Sequence, residues 1–190
     1  GSGIGAAGAE ALAGAGARVI LSGRRSEPLE EVAAHIRQAG GEAYAEPLDI
    51  ADGAAVAALG ESLAARFGSL DIMLNSAGIN VPNRSWGGYE AAGWSNVIDV
   101  NVKGAQYCIA AVLPQMRRQG EGLIINISSW AGHYDSPIGG AAYTASKRAM
   151  LAYTSFVNME EARHGIRACA ICPAEVATPL IDKRAEPVAP

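Results

Sequence analysis

Leu123-Ile-Ile-Asn-Ile-Ser-Ser129 is a short apolar run closed by two serines, and Ile166-Arg-Ala-Cys-Ala-Ile-Cys172 is a second such run. Between them, residues 141–164 carry helical spacing. Strand, long helix, strand is the connection that parallel strands need, because a tight hairpin cannot join them. The pattern extends in both directions. Val19–Ser22, Ala43–Leu48 (closed by Asp49) and Leu70–Leu74 read as further strands. Glu27–Ala39 reads as a helix that stops at Gly40-Gly41, Gly53–Arg66 as another, and 92–118 as a long one, bent or ended near Pro114. The class this predicts is α/β, a doubly wound parallel sheet in three α/β/α layers.

The bulk properties exclude several functions. A chain of 190 residues with 49% apolar residues suits one domain with a sizeable core. The net charge of −4 lacks the clustered basic face that nucleic acid requires, and no apolar run approaches the ~20 residues of a membrane span. No signal-peptide pattern is visible, so the expected compartment is cytoplasmic. Cys169 and Cys172 have Cys-x-x-Cys spacing. On a strand, positions three apart point to opposite faces, so they read as small core residues. No His, Asp, Glu and Cys set has metal-binding spacing, and no catalytic metal is expected. At its ends, Gly1-Ser-Gly-Ile-Gly5 runs directly into an Ala/Gly helix, and a Pro-rich stretch closes the chain. The domain over 1–190 therefore reads as incomplete at both ends, and residues 179–190 as mobile.

The opening glycines suit a diphosphate. Ser2, Gly3, Ile4 and Gly5 stand at a helix start, where backbone N–H groups and partial positive charge face an anion. Glycine clusters also serve helix packing alone, so the residues leave both readings open. In a dinucleotide fold the next strand ends beside the adenosine ribose, where a carboxylate bonds the 2′-hydroxyl. Leu21-Ser-Gly-Arg-Arg25 has arginines there instead, and Arg24 suits a 2′-phosphate, which favours NADP(H) over NAD(H).

Tyr143-Thr-Ala-Ser-Lys147 places a phenol and an ammonium on one helix face. A free phenol has a pKa of ~10, too weak a base for neutral pH. A cation about 4 Å away, at an effective dielectric of ~20, favours the phenolate by ~4 kcal/mol, enough to bring it near neutrality. Such pairs are also common on helix surfaces, so the spacing alone does not decide. Three further features point to a site. Ser129 lies at a strand end, where parallel α/β sheets bind ligands. Asn75-Ser-Ala-Gly78 ends another strand, and Asn101 stands inside a helix, where asparagine is a poor former.

In this order the motifs resemble those of the short-chain dehydrogenase/reductase family, over nearly the whole chain. The resemblance implies a Rossmann-type sheet and hydride transfer between NADP(H), or NAD(H), and a small carbonyl or alcohol. It implies that Ser129 holds the substrate oxygen, that Tyr143 exchanges the proton, and that Lys147 lowers the tyrosine pKa and bonds the nicotinamide ribose. Asn101 would anchor a relay water. Ser2, Gly3, Ile4 and Gly5 would meet the diphosphate, while Asp49, Ile50, Asn75, Ala77 and Gly78 would border the adenosine side. Pro173, Val176 and Thr178 would meet the nicotinamide end, with Thr178 at the carboxamide. The strand before the glycine loop falls outside the chain, which would leave a gap between the strands at 18–22 and 70–74. Asn-Ser-Ala-Gly replaces the usual Asn-Asn-Ala-Gly, and Pro173-Ala174 the usual Pro-Gly; the latter matters only if the backbone needs φ > 0 there. Two other readings are a cofactor-independent lyase of dehalogenase type and a non-catalytic binding protein on this fold. Gly3, Gly5 and Lys147 count against the lyase. Trp86, Trp94, Trp130, Tyr134 and His133 lie near loop ends; Trp94 reads as a helix-packing anchor, His133 and Tyr134 as pocket residues. The helices at 92–118 and 141–164 resemble those through which the family forms homodimers and homotetramers.

Overall fold

The computed structural model describes residues 1–178. The expected mobility of 179–190 lies outside the described residues. The described residues divide into two compact units, one of residues 1–49 with 176–178, the other of residues 50–175.

The first unit alternates α1 (Gly3–Gly14), β1 (Arg18–Gly23), α2 (Ser26–Gln38) and β2 (Glu42–Pro47). β1 and β2 pair in parallel with Val19 opposite Ala43. Val19 and Leu21, two apart, bury one face of β1, and Leu29, Ala33 and Ile36 bury the stripe of α2 that covers it. Gly1–Gly5 does lead directly into a helix, as expected; Ser2 precedes it without a side-chain capping bond.

The second unit begins with α3 (Gly53–Phe67). Asp52 caps it by accepting the Ala54 and Ala55 N–H groups at 3.1 and 3.0 Å. A three-stranded parallel sheet follows in the order β3 (Ile72–Asn75), β4 (Gly122–Ile127), β5 (Ile166–Ile171). Ile109, Met116, Ile124, Val157 and Ile166 form its core, joining the sheet to α5 (Ala105–Gln119) and α6 (Ala141–Glu161). The strands thus pair into two sheets, β1–β2 and β3–β4–β5, rather than one continuous sheet.

Two expectations are corrected here. The helix read over 92–118 does not break at Pro114. α5 runs through that residue to Gln119, and Gly120 ends it in the left-handed conformation. Proline in a helix interior costs ~3 kcal/mol. The carbonyl it leaves unpaired is on exposed Ala110, where water reaches it, while Ile109 and Met116 bury the opposite face. At ~1.5–3 kcal/mol for each large buried side chain, that burial outweighs the defect. The interruption falls earlier. α4 (Ala91–Ile98) gives way to a π-helical segment, Asp99–Gly104, that burns one extra residue and carries Asn101 inward. The second correction concerns Cys169 on β5, read as a small core residue. β5 is an outer strand of its sheet, and Cys169 on it is exposed.

α5 and α6 are tied by Arg117, whose Nε donates to the Glu161 carboxylate at 2.7 Å. Glu161 is 5% exposed at its side chain and Arg117 46%. The guanidinium holds this carboxyl below the ordinary carboxylate range. A depressed carboxyl stabilises the fold above its unfolded pKa, and the gain is lost as pH falls through the folded value. Glu161→Gln is expected to lower unfolding free energy by about 1–2 kcal/mol at neutral pH. That loss should shrink in acid, as read by urea denaturation at several pH values. Among the described residues no helix is long and apolar enough to cross a membrane.

Candidate active site

β3 and β4 end side by side, with Asn75 opposite Asn126. The polar residues at these ends are bonded in layers. Asn126 is fully buried and donates to Thr154 Oγ1 at 2.9 Å, while Asn75 donates towards Asn126 Oδ1 at 3.4 Å. Asn75 thus faces the core with its side chain. Ser128 donates to the Lys147 carbonyl at 2.8 Å, fastening β4 to α6. A Cβ on Gly132 would lie 2.7 Å from Ser128 Oγ and 3.1 Å from the Lys147 carbonyl, so only glycine lets the turn after β4 rest on α6.

That turn is a single 3₁₀ turn, Trp130–Gly132, capped by Ser129, whose Oγ accepts the Ala131 N–H at 3.2 Å. One acceptor lone pair of Ser129 is therefore engaged, which leaves its O–H as a donor. Lys147 is 4% exposed, and its Nζ donates to the Ile127 carbonyl at 2.8 Å. The same Nζ stands 5.4 Å from the centre of the Tyr143 ring. Burial pushes the Lys147 ammonium down to about 8, with Cys172 opposing weakly, so it stays charged at neutral pH.

Asn101, delivered by the π segment, is buried and pairs with Ile79 in both directions. Its Oδ1 accepts the Ile79 N–H at 2.8 Å, and its Nδ2 donates to the Ile79 carbonyl at 2.9 Å and to Ser146 Oγ at 3.0 Å. These bonds pin the segment that leaves β3. A Cβ on Gly78 would come 3.4 Å from Lys147 Nζ and 3.6 Å from Asn101 Oδ1, so that glycine keeps the space beside the ammonium open. Ser129, Tyr143, Lys147, Asn101 and Gly78 are thereby brought together in the second unit. In the same unit Ile50 is buried against Gly104, Ala77 is exposed, and the Pro173 carbonyl accepts the Trp130 N–H at 2.8 Å. Every described residue with positive φ is a glycine, so Ala174 needs no conformation that a glycine would ease.

The first unit holds the glycine loop. Gly3 has φ +58, and a Cβ there would press on Thr178 at 3.3 Å, so Gly3 and Thr178 are neighbours. A cleft of about 440 Å³ is lined by Gly1, Gly23, Arg24, Arg25, Pro28 and Leu29. Its two guanidiniums and glycine backbone suit an anionic phosphate. Ser2, Asp49 and Val176 are exposed, and Ile4 and Gly5 half-buried.

Sequence reading missed Asn126, Ser128, Ser146 and Thr154. A signal existed for the first: an asparagine inside an apolar strand must find a buried partner. Among the described residues no group of three His, Cys, Asp or Glu side chains could hold a metal ion.

The model of the short chain dehydrogenase family matches residues 1–188. The chain is 40% identical over 188 residues to the short-chain reductase protein NovJ of Streptomyces niveus, spanning 98% of this chain and 70% of that protein. A solved metagenomic short-chain oxidoreductase in complex with NADP superposes with a TM-score of 0.86 at 36% identity, over 92% of this chain and 78% of that one. NAD⁺-bound xylitol dehydrogenase does so with a TM-score of 0.84 at 32% identity, over 90% and 65%. The chain belongs to the short-chain dehydrogenase family. It has the family's Rossmann-type α/β fold and is an NAD(P)-dependent oxidoreductase.

Proposed function

We propose that the protein moves a hydride between NADP(H) and a carbonyl or secondary alcohol, with Tyr143 as the general acid–base. The observation that carries this is the buried Lys147 ammonium, held by the Ile127 carbonyl and facing the Tyr143 ring. A cation so placed in a poorly hydrated site favours the phenolate and lets the phenol exchange a proton near neutral pH. The nicotinamide, when bound, supplies or accepts the hydride. Ser129, whose Oγ accepts the Ala131 N–H, keeps its O–H to hold the substrate oxygen for Tyr143. Asn101 fixes Ile79 and with it Gly78 beside Lys147, and a relay water would use the one Oδ1 lone pair its other bonds leave. Gly78 would let the cofactor approach Lys147, with Asp49, Ile50, Asn75 and Ala77 towards the adenosine and Pro173, Val176 and Thr178 towards the carboxamide.

Arg24 at the cleft mouth supports NADP(H) over NAD(H). Arg24→Asp should lower the ratio of kcat/KM for NADPH to that for NADH by at least about tenfold. An unchanged ratio would refute that role. We further propose a cytoplasmic homodimer or homotetramer acting on a small molecule. Exposed Phe156 and Met159 on α6 support a helix-face contact. The reaction is tested by mixing the full-length protein with NADPH and a panel of ketones and following nicotinamide absorbance; absence of cofactor binding and of turnover would overturn the reading.

A further inference from the structure

Ser146 is fully buried in the turn of α6 that carries Tyr143 and Lys147. Serine is only a moderate helix former, and its hydroxyl has no access to water here. That hydroxyl is satisfied inside the protein in both of its capacities. Ser146 Oγ donates to the Tyr143 carbonyl, one turn back, at 2.7 Å. It accepts from Asn101 Nδ2 at 3.0 Å. Asn101 itself is buried in the π segment, Asp99–Gly104, which packs on α6.

The direction of these bonds follows from counting protons. A hydroxyl has a single proton and a carbonyl can only accept, so the Ser146 proton belongs to the Tyr143 carbonyl. Ser146 therefore meets Asn101 as an acceptor, and only the amide end of the carboxamide can face it. The other end, Oδ1, accepts the Ile79 N–H at 2.8 Å, and Nδ2 also donates to the Ile79 carbonyl at 2.9 Å. A flipped carboxamide would set N–H against N–H at Ile79 and oxygen against oxygen at both Ser146 and the Ile79 carbonyl. Both amide hydrogens and one Oδ1 lone pair are thus taken. Oδ1 and the Lys147 ammonium border the same space, since a Cβ on Gly78 would lie 3.6 Å from the one and 3.4 Å from the other. The hydroxyl of Ser146 thereby joins three parts of the site: the carboxamide of Asn101, the Gly78–Ile79 segment it holds, and the turn of α6 that carries the phenol and the ammonium.

We propose that Ser146 is a positioning residue for proton transfer, orienting the Asn101 carboxamide and tying it to the turn that carries Tyr143 and Lys147. This rests on the oxidoreductase reading above and adds a residue that acts through Asn101, not by touching substrate. Without the hydroxyl a buried amide hydrogen loses its acceptor, and the grip of Asn101 on Ile79 loosens.

Ser146→Ala is the first variant; alanine is the better helix former, so α6 itself is not weakened. Full-length protein labelled with ¹⁵N-asparagine reports the Asn101 side-chain amide, assigned by its loss in Asn101→Asp. Its hydrogens should exchange with solvent at least about tenfold faster in Ser146→Ala than in wild type. With NADPH and a ketone from the panel, kcat should fall about tenfold while ketone KM and NADPH affinity stay within about twofold. The solvent deuterium isotope effect on kcat should rise, because proton transfer then limits turnover. Ser146→Thr keeps the hydroxyl and should recover most of the slow exchange and of kcat. Unchanged amide exchange, an unchanged kcat, or a loss of kcat with the wild-type isotope effect would overturn the proposal. A wild type that neither binds NADPH nor turns over any ketone would instead sink the oxidoreductase reading, and amide exchange alone would then decide whether Ser146 orients Asn101.

Discussion

Tyr143→Phe is expected to lower kcat by at least about a hundredfold and to leave folding and NADPH affinity near wild type. General acid–base groups contribute roughly 10²–10⁴-fold, and the substitution removes the only proton that the phenyl ring could exchange. The ring itself stays on α6 over Lys147, so the packing is kept. Steady-state rates with the best ketone of the panel, together with a cofactor titration, check this. A variant that retains most of the wild-type kcat would remove Tyr143 from the reaction.

Lys147→Met should reduce activity on a similar scale, while its effect on stability depends on pH in a defined direction. Burial lowers the Lys147 ammonium from 10.5 to about 8. Between those values the unfolded chain binds the proton and the folded chain does not, so wild-type stability rises with pH. Below about 8 the folded protein carries a buried charge at full cost. The methionine variant keeps the volume and has no charge to bury. Wild type should therefore gain stability relative to Lys147→Met as pH rises through that window. Urea midpoints measured for both proteins across it test the sign, and a difference independent of pH would show that Lys147 is not buried in solution.

Much of the fold was legible from local patterns. Strand and helix periods placed β1, α2, β2, α3, β4, α6 and β5 within a residue or a few, because each buries one face against a neighbour. Where the reading failed, two tendencies competed. Pro114 signals a break, yet the buried face formed by Ile109 and Met116 carries α5 through it. Nothing in the spacing around Asn101 marks a π segment, which depends on the contacts that Ile79 and Ser146 make with its carboxamide. Burial of β5 could not be read from composition either, since an apolar strand has the same sequence at a sheet's edge as in its centre.

The chemistry followed the same division. The order of Ser129, Tyr143 and Lys147, with Asn101 and the strand-end loops, carried the resemblance to the family, and helical spacing added only that Tyr143 and Lys147 share a face. The structure decided what surrounds them. It put Lys147 out of water with one carbonyl partner, turned Asn75 into the core, and gave Asn101 to Ile79. It also joined the segments that leave β3 and β4 through Asn80 and Arg84. Those outcomes depend on long-range packing and on which buried polar atoms find partners, and the linear chain does not encode either in any local pattern.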